Sequence, residues 1–175
     1  TGEEPYALAM LLDQLVSGLE GERYFGVTAT DLSLPALAKA REGIYSARKM
    51  GMVPDAYRER YFTPAAGERS LESGRYQVVP ALKERVCFAR MNVLDLGEAP
   101  MQGMDVIYCQ NLLIYFRRWR KKDIVNHLAE RLAPGGLLVI GVGELLDWSH
   151  PQIERYPYDN TLAFTRIDGT RRVSE

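Results

Sequence analysis

Three apolar runs in this sequence end in polar side chains that could do chemistry. "YFGVTATD" (24–31) closes on Asp31, "VCFARM" (86–91) is followed by Asn92, and "DVIYCQNLLIYF" (105–116) passes through Cys109 into Gln110 and Asn111, then Tyr115 and Phe116. An acid at a strand end can accept both hydroxyls of a nucleotide ribose, or it can cap the next helix. An amide after a strand can meet the edge of a nucleobase, or it can shape a turn. Asn111 and Tyr115 could face a crevice and hold a flat, cationic ligand. Equally, the amides could tie their loop to the sheet.

Other chemistries find little support. His127 and His150 have no companion Ser, Cys or carboxylate constellation for hydrolysis or metal binding. Cys87 and Cys109 are the two cysteines and form no Cys-x-x-Cys, which argues against a disulfide framework or a zinc site. A net charge of -1 exerts no global pull on nucleic acid or an anionic membrane. "RRWRKK" (117–122) opens an amphipathic helix, where cations oppose the dipole; a solvated helix face explains it better than nucleic acid or an acidic partner. No membrane span or signal peptide is present, so no membrane insertion and a cytoplasmic location are expected.

The elements that must position these groups alternate between strand and helix. "TGEEPYALAM" starts a helix, with Thr1 and Glu4 spaced as a capping box and Leu8, Leu11, Leu12, Leu15, Val16 and Leu19 along one face. After the strand ending at Asp31, "LPALAKAREGIY" reads as a helix entered through Ser33 and stopped by Gly43. "VPDAYRERYF" reads as a short helix. Residues 63–79, with Pro64, Gly67, Gly74 and an alternating "RYQVV", read as a small inserted antiparallel hairpin. Strands follow at 85–93 and 104–111, then a helix from Arg117 to Leu132 with Ile124, Val125, Leu128 and Leu132 inward. "APGG" (133–136) should end it, before an apolar strand at 137–144 and a last, alternating strand near an edge at 161–167. The pattern predicts an α/β fold with a mostly parallel sheet and ligands beyond the strands' carboxyl ends.

These pieces, in this order, resemble the chemotaxis receptor glutamate O-methyltransferases, the CheR family of S-adenosylmethionine-dependent enzymes. "TGEEPYALAM", "ATDLSLPALAKAREGIY", "RYF", "DVIYCQNLLIYF", "LAPGGLLVIGVGE" and "AFTRI" carry the likeness, and "CQN" with "GELLDWSHP" resembles the branch serving pilus-driven twitching motility. The resemblance implies a class I methyltransferase (Rossmann-like) sheet with an inserted β-subdomain, over a catalytic domain of residues 1–175 that is incomplete at its start. It implies that Glu4, Asp31, Asn92, Val93, Gln110 and Asn111 bind the cofactor and that Tyr115 stands near the reacting methyl. It implies methyl transfer to glutamates on the cytoplasmic helical domain of chemoreceptors, with S-adenosylhomocysteine as the other product. A glutamate has a reference pKa of about 4.3 and needs no strong base or metal to attack a sulfonium methyl.

Gln110 stands where the family usually has arginine. The family also places a helical domain, a catalytic arginine and the first, central strand before "TGEEPY". A chain beginning at Thr1 is expected to rearrange its sheet or to borrow a strand from another molecule, unless further residues precede it, and to be a poor methyltransferase by itself. A catalytically degenerate module that holds cofactor or receptor without turnover is the alternative, and a small-molecule methyltransferase is a third.

Overall fold

The computed structural model describes residues 1–21, 23–65, 74–158 and 160–167, and the chain divides into two units, Thr1–Asn92 and Val93–Glu175. Among the described residues no helix is long and apolar enough to cross a membrane.

The first unit runs α1 (Glu3–Ser17), β1 (Val27–Asp31), α2 (Leu34–Glu42), β2 (Ile44–Ser46), α3 (Ala47–Met50), α4 (Asp55–Tyr61), β3 (Phe62–Pro64), β4 (Arg75–Val78), α5 (Pro80–Lys83) and β5 (Val86–Arg90). β1 and β5 pair in parallel, with Asp31 opposite Arg90, so both strands end at the same level. β2, β4 and β3 form a separate antiparallel sheet in that order. The expected hairpin thus gains a third strand from residues 44–46, while residues 66–73, including Gly67, lie outside the described residues.

α1 corrects two expectations. Its N-cap is Gly2 at φ 95, with no side-chain cap bond, and the Thr1 hydroxyl donates to the Glu3 carboxylate instead of forming a box with Glu4. Gly2 is required there, because a Cβ would stand 2.7 Å from the Tyr45 hydroxyl. The buried face is Tyr6, Ala9 and Met10, whereas Leu11, Leu15 and Leu19 are exposed. Aromatic side chains anchor that face. The Tyr6 hydroxyl donates to the Ala40 carbonyl at 3.0 Å, and the Tyr61 hydroxyl to Asp13 Oδ2 at 2.8 Å. Burial pushes the Tyr6 phenol up to about 12. Tyr6 also meets Phe88 of β5 edge-on at 5.6 Å. α2 follows its sequence signals: the Ser33 hydroxyl accepts from the Ala36 amide at 3.3 Å, and Gly43 closes the helix at φ 62.

The second unit opens with a 3₁₀ turn at Val93–Glu98, followed by β6 (Met104–Cys109), a second 3₁₀ turn (Leu113–Tyr115), α6 (Arg118–Glu130), β7 (Leu132–Ile140), β8 (Ile153–Tyr156) and β9 (Leu162–Arg166). The strand order is β6-β7-β9-β8, with β6 and β7 parallel and the other pairs antiparallel. Ile124, Val125, Leu128 and Ala129 of α6 are buried, with Leu132, Leu138 and Ile140 of β7. "APGG" does not end α6, which stops at Glu130. It lies inside β7, where the register against β6 shifts. A Cβ on Gly136 would come within 2.8 Å of the Met104 and Ala133 carbonyls, so the close backbone approach requires glycine. β8 is an addition to the expected strands, and it places β9 one position in from the edge.

Candidate functional site

In the first unit, parallel pairing brings the ends of β1 and β5 together and sets Asp31 and Asn92 at the same end of the sheet. Asp31 is exposed, and its Oδ1 accepts from the Ser33 amide at 2.8 Å in a turn that leads into α2. Both readings of this acid therefore have a physical basis: one oxygen shapes the turn, and Oδ2 takes no part in it. Asn92 is half-buried two residues past β5. Glu4 is exposed in the first turn of α1, where a carboxylate suits the helix dipole.

Its neighbour Glu3 is more constrained. Burial disfavours its charge, but hydrogen bonds from Lys49 and Thr1 outweigh burial and hold the carboxyl down to about 2. The Glu3–Lys49 pair lies on the rim of an apolar groove of about 420 Å³ walled by Tyr6, Met10, Leu11, Met50, Met52 and Tyr57. Neither Glu4, Asp31 nor Asn92 lines that groove, and its walls offer few polar groups to orient a nucleotide.

In the second unit, β6 delivers Gln110 and Asn111 to the carboxyl end of the sheet. Gln110 Oε1 accepts from the Tyr108 hydroxyl at 2.6 Å, so the neutral amide is oriented from its own strand. Asn111 adopts φ 57, a left-handed conformation that asparagine tolerates better than most residues and that turns the chain sharply off the strand. Tyr115 closes the following turn, 78% exposed. Val93 starts the unit, half-buried.

A group that sequence reasoning missed lies at the next strand end. Glu144, in the turn after β7, is 5% exposed, and neither carboxylate oxygen has a hydrogen-bond partner among the described residues. A buried carboxylate in an apolar stretch was detectable as the acid of "GVGELL", but its burial was not. The basic run of α6 also acquires a purpose beyond solvation. Arg118 pairs with Asp147 at 2.6 Å, Lys121 donates to the Glu144 carbonyl at 2.9 Å and Lys122 to the Asp147 carbonyl at 2.6 Å. These cations strap the 144–147 turn to the helix.

Residues 1–160 match the family described as CheR methyltransferase, SAM binding domain. The chain is similar to chemotaxis protein methyltransferase Cher2 of Pseudomonas putida, 35% identical over 84% of this chain and 52% of that protein. It is 36% identical to chemotaxis protein methyltransferase 1 of Pseudomonas aeruginosa, over 84% of this chain and 52% of that protein. To chemotaxis protein methyltransferase 2 of Vibrio cholerae it is 34% identical, over 82% of this chain and 48% of that protein. The chain spans about half the length of these curated relatives.

Proposed function

Since the chain belongs to the CheR methyltransferase family, matching its SAM-binding domain, we propose that it is the cofactor-binding and catalytic part of a chemotaxis methyltransferase that esterifies glutamate side chains on chemoreceptors. The family match over residues 1–160 is the observation that carries this reading.

The groups at the strand ends fit S-adenosylmethionine. The cofactor carries a ribose diol, an adenine and a cationic sulfonium. The chain offers an exposed acid at the end of β1, amides at the ends of β5 and β6, and a buried carboxylate after β7 with no hydrogen-bond partner among the described residues. In this reading Asp31 holds the ribose through the oxygen its turn leaves available. Asn92 and Val93 flank the adenine, while Glu4, Gln110 and Asn111 bind the rest of the cofactor. Tyr115, exposed on its turn, borders the reacting methyl.

When bound, the cofactor supplies a methyl group on a good leaving group. The residues' work is then placement. They exclude water and hold the incoming carboxylate in line, and no side chain has to remove a proton from it. The antiparallel sheet of β2, β4 and β3 is the proposed receptor-docking surface, and the cytoplasmic helical domain of a chemoreceptor is the proposed partner.

The test is transfer of labelled methyl from S-adenosylmethionine to a receptor cytoplasmic fragment by the protein carrying this chain. Base-labile label on receptor glutamates is expected. Tight cofactor binding with no transfer to any receptor fragment would overturn the enzyme reading in favour of a binding module.

A further inference from the structure

One end of the second unit is both apolar and basic at its surface. Cys109 pairs in register with Ile140, so the turns that leave β6 and β7 start side by side. Ile114 and Tyr115 lie in the first turn, Val142 and Leu146 in the second, and Trp119 at the start of α6; each is more than half exposed. The second turn is held in place. The Glu144 amide donates to the Gly141 carbonyl, and Arg118, Lys121 and Lys122 tie residues 144–147 to the helix. Exposed apolar residues scattered singly need no explanation, but a group of them rimmed by charge marks an interaction surface. The charge here is unbalanced. Arg120 pairs with Asp123, and its guanidinium lies over the Trp119 ring at 4.2 Å. Lys121 and Lys122 donate to carbonyls, which do not cancel their charge, and Arg117 is exposed with no ion pair among the described residues. The Glu144 carboxylate is buried, turned back over Gly141. Cations at a helix start oppose its dipole, so helix stability does not account for Arg117 and Arg120.

We propose that this end of the second unit docks an acidic amphipathic helix of the methyl-accepting protein, seating its apolar residues on Trp119, Val142 and Leu146 and its carboxylates against Arg117 and Arg120. The inference rests on the chemoreceptor-methyltransferase reading above, and it adds a contact in the second unit to the docking sheet proposed in the first. The reaction consumes glutamate, so the segment that brings the target is acidic by its own chemistry. Trp and Arg are the side chains that carry most binding energy once a partner covers them. Aliphatic groups among the cations suit the apolar face of a helix, whereas a phosphate backbone would leave them unused. The basic run of α6 thus serves recognition as well as the strapping of its neighbouring turn.

Steady-state methyl transfer to a receptor cytoplasmic fragment by the protein carrying this chain tests this, with calorimetry of S-adenosylmethionine alongside. Arg117→Glu with Arg120→Glu should raise KM for the fragment about tenfold, with kcat and cofactor affinity within about twofold of the parent. Trp119→Ala should raise KM by about ten- to thirtyfold. Arg117→Lys with Arg120→Lys keeps the charges and should stay within about threefold. The parental KM should climb with ionic strength, and that of the charge-reversed protein should climb less. An unchanged KM in both the reversed and the Trp119→Ala proteins would overturn the proposal and leave the methyltransferase reading standing. Cofactor affinity that falls in step with the rise in KM would overturn it too, by assigning these residues to the fold. So would parental binding to duplex DNA or to phosphatidylglycerol vesicles that the reversal abolishes while KM for the receptor fragment holds. Parental protein that transfers no methyl to any receptor fragment would overturn the methyltransferase reading and the proposal with it.

Discussion

Glu3 links the start of α1 to α3 through Lys49, and its carboxyl titrates far below a free glutamate. The sign of its effect on stability follows from linkage. Unfolded chains protonate this group near 4.5, whereas the folded protein does so near 2. The contribution is therefore full above pH 4.5 and disappears as pH falls through 2. Glu3→Gln should lower stability at neutral pH and flatten the acid limb in that window, so that the difference from the parent vanishes near pH 2. Chemical denaturation from pH 7 to pH 2 would show it, and an acid limb identical to the parent's would contradict the assignment. The sequence disclosed the acids at this helix start but not their division of labour. The spacing of Thr1 and Glu4 fits a capping box, yet Gly2 enters the helix from positive φ, and Thr1 turns to Glu3. Asp31 and Gln110 were legible as strand-end groups because an apolar run stops at each. Glu144 was not, since burial depends on a turn that α6 straps down from outside the local sequence.

At the scale of elements, periodicity located α1 but misassigned its face. Two sets of apolar residues share helical spacing, and leucines outnumber the aromatic and small residues that are buried. Tyr6 wins because its neighbours Ala40, Tyr45 and Phe88 come from elsewhere in the chain. Met10→Ala should thus cost about 2–5 kcal/mol of the chain's stability, while Leu15→Glu, at a position 66% exposed, should change it by no more than about 0.5 kcal/mol. Urea unfolding of the two variants separates these faces, and a large cost at Leu15 with none at Met10 would restore the leucine face. "APGG" misled for a related reason. Proline and glycine do stop helices, but here they serve a strand irregularity, and α6 had already ended. β2 and β8 escaped notice because three or four residues carry too short a pattern to stand out from loops. The small sheet also bears on its proposed docking role. Tyr45, Phe62, Tyr76 and Val78 from its strands sit in the core of the first unit, so removing it would remove part of that core.

At the scale of the whole molecule, the alternation of strand and helix predicts an α/β fold with a mostly parallel sheet; the α/β class holds and β1–β5 and β6–β7 are parallel, but the other described strand pairs are antiparallel. Joint order of motifs was more informative than any single one, since each strand-end residue alone fits a turn as well as a ligand. The family match now adds what spacing could not, the cofactor S-adenosylmethionine. Whether the ends bind it is settled most directly by calorimetry of S-adenosylmethionine with two variants of the protein carrying this chain. Asp31→Asn retains an oxygen to accept from the Ser33 amide and loses only the carboxylate, whereas Asp31→Ala loses both. With the carboxylate on the ribose, both variants should bind the cofactor about ten- to a hundredfold more weakly, the loss of a charged hydrogen bond, and Asp31→Asn should remain as stable as the parent. Unchanged affinity in Asp31→Asn, with weakened stability in Asp31→Ala, would show that Asp31 shapes its turn and nothing more.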